Sequence, residues 1–139
     1  MTSVPDEVTD HAIARRMFAE DNASRALGIE LLELGAGRAR MSMRIGAQMV
    51  NGHGITHGGY VFLLADTAFA LACNSGDDAA VAARCDIRFL RPTHAGDLLV
   101  ADAREVAGFG RNGIYDVTVT SGEQVVAEFR GDSRTIARP

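Results

Sequence analysis

Residues 51–75 read NGHGITHGGYVFLLADTAFALACNS. Glycines at 52, 54, 58 and 59 surround His53 and His57 and lead into an almost wholly apolar run. Asp66 is the single carboxylate in that run. The run has few β-branched residues and many alanines, so residues 57–74 read as helix rather than strand. Apolar residues occur on nearly every side, so this helix should be buried on most of its surface. It is shorter than the roughly 20 residues a membrane helix needs, and Asp66 interrupts it.

Outward from this helix the periods change. Residues 9–27 fit an amphipathic helix through Ala12, Ile13, Arg16, Met17 and Ala19, with Thr9 as its cap and Gly28 as its close. From Ile29 to Ile45 apolar and polar residues alternate at period two, and GAG at 35–37 breaks the run into a hairpin. After the helix come four strand-like runs at 80–91, 97–107, 111–120 and 124–136, separated by THAG, GFGRNG and SGE. The order is helix, hairpin, buried helix, then a meander of four strands. That predicts an α+β fold in which an antiparallel sheet wraps around one central helix.

The chain of 139 residues suits one domain, residues 1–139, with 1–27 as an N-terminal helical segment. Its apolar fraction of 47% excludes an extended disordered chain. A formal charge of −4 argues against nucleic acid, which needs a basic face. Cys73 and Cys85 form no C-x-x-C pair and read as small core residues in a reducing compartment. The polar, acidic first residues carry no apolar signal core. The expectation is a soluble cytoplasmic protein with no nucleic-acid or membrane partner.

Two motifs read as less than they first suggest. GFGRNG at 108–113 matches a dinucleotide-binding fingerprint, but IYDVTVT after it is a strand and not a helix, so it is read as a hairpin connection. Arg111 within it could offer a charge to a phosphate or be an ordinary solvated arginine. His53 and His57 have zinc-ligand spacing, but the glycines around them oppose one helix face and the Glu of H-E-x-x-H is absent, so no metal is expected.

HGG at 57–59 carries more. The first turn of a helix leaves backbone N–H groups unpaired, and its dipole favours negative charge. Glycine leaves those donors unshielded, so a ligand oxygen could approach them, the geometry of an oxyanion site. The alternative is a pair of glycines that only permits a tight loop. Asp66 lies eight residues after Gly58, about 12 Å along a helix axis. If both residues serve one reaction, Asp66 must come from a second copy, with two antiparallel helices related by a two-fold axis. The alternative for Asp66 is a buried acid satisfied by Thr67 or Tyr60.

The pattern N-G-x-x-x-x-H-G-G-x-x-F-x-L-A-D-x-A-x-A resembles the hotdog-fold acyl-CoA thioesterases. Asn51, His57, Gly58, Gly59, Phe62, Leu64, Ala65, Asp66, Ala68 and Ala70 match it. With NGH, LADTAFA, ACNS, DIRFLRP, AGD and GIYDV added, the chain is most similar to the PaaI branch of phenylacetic acid degradation, over about residues 20–136.

The resemblance implies a hotdog fold, a homodimer joined edge to edge and paired again into a homotetramer, and no cofactor. It implies that the Gly58 N–H polarises a thioester carbonyl while His57 helps to orient it. Asp66 of the second copy would attack the carbonyl or activate water, and Asn51 would position that water. Gly59 and Arg111 complete the expected substrate contacts. The expected reaction is hydrolysis of (hydroxy)phenylacetyl-CoA to free acid and CoA. A thioester suits so small a site because CoA thiolate leaves without a strong acid. Rival readings are an acyl-thioester dehydratase or hydratase on the same fold and a noncatalytic acyl-CoA-binding protein.

Overall fold

The computed structural model describes residues 11–136. Two short helices, α1 (Ala12–Ala19) and α2 (Asn22–Ala26), precede the hairpin of β1 (Glu30–Gly35) and β2 (Arg38–Arg44). Helix α3 (Gly58–Cys73) follows, and then β3 (Ala80–Phe89), β4 (Leu98–Phe109), β5 (Asn112–Ser121) and β6 (Gln124–Thr135). The six strands form one antiparallel sheet in the order β1-β2-β4-β5-β6-β3. It curves around α3, the hotdog arrangement expected from the sequence.

Alternation along the strands builds the core. Ala39, Met41 and Met43 of β2 point inward, as do Leu99, Ala101 and Ala103 of β4, Val117 and Val119 of β5, and Ala127 and Phe129 of β6. They meet Leu64, Ala65, Ala68, Phe69, Leu71 and Ala72 of α3. Phe69 packs so closely on β6 that a Cβ at Gly131 would lie 2.7 Å from its ring. Burial of one such side chain contributes about 1.5–3 kcal/mol. The opposite face of α3, with Phe62, Leu63, Asp66, Ala70 and Cys73, is only half-buried. One sheet covers one side of a helix, so the expectation of burial on most sides holds for the sheet-facing side within one protomer.

The structure corrects three sequence expectations. The helix read over 9–27 is broken at Glu20–Asp21, because Asp21 accepts a hydrogen bond from the Ser24 N–H and starts a second helix. The Thr9 cap lies outside the described residues, while Gly28 closes the segment with φ +74° as expected. The four late strands are not one meander. Only β4, β5 and β6 follow one another, because β2 already occupies the free side of β4, and β3 pairs with β6 at the far edge. Finally, GFGRNG is the expected hairpin connection but a shorter one, with β4 running to Phe109 and β5 starting at Asn112. Gly110 at φ +60° permits a two-residue turn at Gly110–Arg111, with Phe109 opposite Asn112.

Candidate active site

The loop before α3 is built by its own polar groups. Asn51 Oδ1 accepts from the N–H groups of His53 (2.9 Å) and Ile55 (3.4 Å), and the Asn51 N–H donates to the Ile55 carbonyl (2.7 Å). This Asx-type turn occupies the side-chain oxygen and leaves the amide NH₂ available to donate. Below the loop, the Thr56 N–H donates to the Thr93 carbonyl and the two threonine hydroxyls bond at 2.7 Å. The loop is thereby tied to the segment after β3.

His57 is the N-cap of α3, and its Nδ1 accepts from the Gly59 N–H at 3.1 Å. That bond fixes the imidazole at the helix entrance. It also means that the Gly59 N–H is used internally. The Tyr60 N–H donates to the His57 carbonyl. Among the described residues the Gly58 N–H has no acceptor, so it is the first-turn donor left open.

Gly58 and Asn51 open onto one groove of about 530 Å³, walled by Ile55, Val61, Phe89, Leu90, Pro92 and Val126. The Phe89 ring lies against Gly58, where a Cβ would fall 2.9 Å from Cζ. A side chain at this position would push against the ring. Arg91 stands at the groove, with its guanidinium donating to the Val125 carbonyl at 2.6 Å. Sequence reasoning did not find Phe89, Arg91 or Val126. The available signal was Pro92, which ends the DIRFLRP strand and turns it under the His57 loop.

Asp66 sits on the half-buried face of α3. Thr67 is engaged by Ser24 (2.8 Å) instead, and neither Thr67 nor Tyr60 satisfies the carboxylate. Its one polar contact among the described residues is Cys85 Sγ, 4.0 Å from Oδ1. Burial raises its pKa above the ordinary carboxylate value, and the charge of Asp21 adds to the rise. Cys73 and Cys85 flank it, with thiols pushed by burial up to about 12 and about 11, so neither is a nucleophile near neutral pH.

Within one protomer the structure therefore joins Asn51, His57 and Gly58 but leaves Asp66 two turns away along the helix. Arg111 is also elsewhere. Its guanidinium donates twice to the Thr135 carbonyl at the β4–β5 turn (3.1 and 2.9 Å). Asn74 and Ser75 serve the frame. Asn74 bonds the Ala70 carbonyl and both backbone groups of Ala80, while Ser75 links Ala72 to Gly37.

Residues 53–128 match the model of the thioesterase superfamily. Acyl-coenzyme A thioesterase PaaI of Escherichia coli K12 is 47% identical over 124 residues, covering 88% of this chain and 89% of the relative. The solved structure of E. coli PaaI, described as coming from the phenylacetic acid degradation operon, superposes with a TM-score of 0.89. It is 44% identical and covers 93% of this chain and 96% of that one. A Streptococcus mutans structure bound to acetyl CoA superposes with a TM-score of 0.75 at 27% identity, covering 79% and 90%. The chain belongs to the thioesterase superfamily and is a hotdog-fold thioester hydrolase.

Proposed function

We propose that the protein hydrolyses aryl-acetyl-CoA thioesters, phenylacetyl-CoA and its ring-hydroxylated relatives, in the cytoplasm as a step of phenylacetate degradation. The observation that carries this is the open Gly58 N–H at the head of an apolar groove, with a carboxylate of raised pKa on the half-buried face of the same helix. The E. coli relative's name and operon support the substrate class, and the S. mutans complex supports acyl-CoA as the ligand.

The mechanism follows from which group can reach which atom. The thioester carbonyl oxygen accepts from the Gly58 N–H, where the helix dipole favours the negative charge that develops on attack. His57, held by the Gly59 N–H, borders the carbonyl and helps to orient it, and Gly59 completes that turn. The Asn51 amide donates to the attacking water or to the carboxylate. Asp66 cannot span the ~12 Å from its own position to Gly58. The partner subunit supplies it.

The free edge of β3 gives that partner a place to pair. Val81, Phe89 and Leu90 are each about half exposed there, and an uncovered apolar edge strand is a template for another chain. Two-fold pairing of β3 edges would set two α3 helices antiparallel, cover Phe62, Leu63 and Ala70, and yield two equal sites. A dimer of such dimers makes the homotetramer. In that pairing the Cys73 end of one helix, with the Arg111 turn beside it, lies toward the partner's Asn51–His57 loop, which brings Arg111 near the bound substrate.

The test is CoA thiol release from phenylacetyl-CoA, hydroxyphenylacetyl-CoA and medium-chain acyl-CoAs, wild type beside Asp66→Ala, with the oligomer checked by ultracentrifugation. Release that falls by about 10²–10⁴ in the variant, with the oligomer intact, is the expected result. Equal rates would make Asp66 structural, and no release from any thioester would sink the reading.

A further inference from the structure

A second cavity, of about 280 Å³, lies at the far end of α3 from the groove. Its walls include Cys73, Glu105, Asn112, Tyr115 and Ser133. Two of these residues are anomalous. Tyr115 is 7% exposed and Ser133 is 6% exposed, yet neither hydroxyl has a hydrogen-bond partner among the described residues. Buried polar groups are nearly always paired. Both side chains meet at Gly113, where a Cβ would fall 2.8 Å from Ser133 Oγ and 3.0 Å from Tyr115 Cε1. A glycine thus keeps open a cradle that any other residue would fill. Burial and the Glu105 charge hold the Tyr115 phenol protonated, with its pKa raised to about 12, so it can donate as well as accept.

Through Cys73 the cavity touches the half-buried face of α3 that carries Asp66. Cys73 lies seven residues after Asp66, two turns or about 10 Å farther along the same side. An arylacetyl group extends about 6 Å from its carbonyl carbon to an oxygen on the far side of the ring, from ordinary bond lengths. A carbonyl held within reach of Asp66, with its acyl group directed toward Cys73, would therefore present a ring substituent at this cavity. The volume admits a ring, since a cavity of about 150 Å³ holds benzene.

We propose that this cavity is the distal acyl subsite, in which Tyr115 and Ser133 hydrogen-bond a hydroxyl on the ring of an aryl-acyl substrate. The inference rests on the thioesterase reading above. It assigns ring recognition to the subunit that donates Asp66, and the pantetheine arm to the apolar groove of the subunit that donates Gly58. Such a division is what makes each site incomplete without the second copy. It also gives the two hydroxyls the partner they lack.

Two measurements test it. The first is the ratio of kcat/KM for 4-hydroxyphenylacetyl-CoA over phenylacetyl-CoA in wild type, Tyr115→Phe and Ser133→Ala, with Tm recorded for each. The ratio should fall about tenfold in Tyr115→Phe, the worth of one hydrogen bond in a desolvated site, and less in Ser133→Ala. The second is calorimetric binding of 4-hydroxyphenylacetate and phenylacetate, which needs no turnover. Wild type should bind the hydroxylated acid several-fold more tightly, and Tyr115→Phe should erase the difference. Unchanged ratios with equal binding of the two acids would overturn the subsite while leaving thioester hydrolysis standing. Absence of any hydrolysis would overturn the parent reading, and the acid-binding difference would still decide the cavity.

Discussion

The two ends of α3 face the same physical problem and solve it in opposite ways. Every helix leaves unpaired N–H groups at its start and unpaired carbonyls at its end. At the C-terminal end the chain closes them. Asn74 donates to the Ala70 carbonyl and clamps Ala80 through both its amide atoms. Ser75 donates to the Ala72 carbonyl and accepts from the Gly37 N–H, and the Ser75 carbonyl meets His11 Nδ1 at 2.6 Å. At the N-terminal end the His57 side chain takes only the Gly59 donor, and Gly58 stays open beneath the Phe89 ring. One end is anchored to three other segments of the chain, and the other is left with a donor facing a groove. The difference separates what holds the helix from what the helix is for.

The largest expected effect comes from the carboxylate that shares the open side. Asp66→Asn should lower kcat/KM by at least about 10²-fold and raise Tm at neutral pH. The sign follows from its raised pKa. The folded state binds the proton more tightly than the unfolded chain, so stability falls as pH rises from the ordinary carboxylate value through the raised one. Above that window the ionised form is a standing destabilisation, which the amide removes. Thermal melts from pH 4 to 8 beside the rate assay would check both halves. A variant that loses rate without gaining Tm would mean that the partner subunit already compensates the charge.

Next in size is Gly58→Ala. The added methyl meets the Phe89 ring at 2.9 Å and moves either the ring or the first helical turn. A displacement of about 1 Å in a positioned donor costs up to 10²-fold in rate. Loss should appear in kcat more than in KM, because an oxyanion donor acts chiefly on the transition state. Asn74→Ala is the matched change at the closed end. It strands the N–H and carbonyl of Ala80, while the Ala70 carbonyl keeps the Asn74 N–H, so it should cost about 1–3 kcal/mol of stability. A denaturant melt would measure it, and kcat should change far less than in Gly58→Ala. If Asn74→Ala instead lost rate without stability, the contrast between the two ends would fail.

Much of the open end was legible in the sequence. Gly58, His57 and Asn51 lie within eight residues of one another, so glycine freedom, capping and turn chemistry describe them locally. The distance from Gly58 to Asp66 was also legible, because helix rise converts sequence separation into length. What stayed hidden depends on pairings far along the chain. Phe89 reaches Gly58 only because β3 leaves the helix for the far edge beside β6. Asn74 finds Ala80, and Tyr115 meets Ser133 across Gly113, through strand register that no local period encodes. Arg111 was read two ways, as a phosphate contact or a solvated turn arginine, and its local sequence could not show that its guanidinium reaches the Thr135 carbonyl, a contact set by the pairing of β5 with β6.

The smallest expected effect tests whether the carboxylate's environment reaches beyond its own helix. Asp21 caps α2, accepting from the Ser24 N–H (2.9 Å) and hydroxyl (2.6 Å), and Ser24 Oγ in turn contacts the Thr67 hydroxyl beside Asp66. Its charge is the second cause of the raised Asp66 pKa, after burial. Asn caps a helix as well as Asp does, so Asp21→Asn removes the charge and keeps the cap. Asp66 should then ionise at lower pH, and the acid limb of the kcat/KM profile should move down with it. The rate at the plateau should hold, because catalysis needs only the ionised form, which is already complete there. Movement of the limb would tie the N-terminal helices electrostatically to the candidate site. A fixed limb would leave burial alone in control of Asp66, with the Asp21 charge screened by solvent.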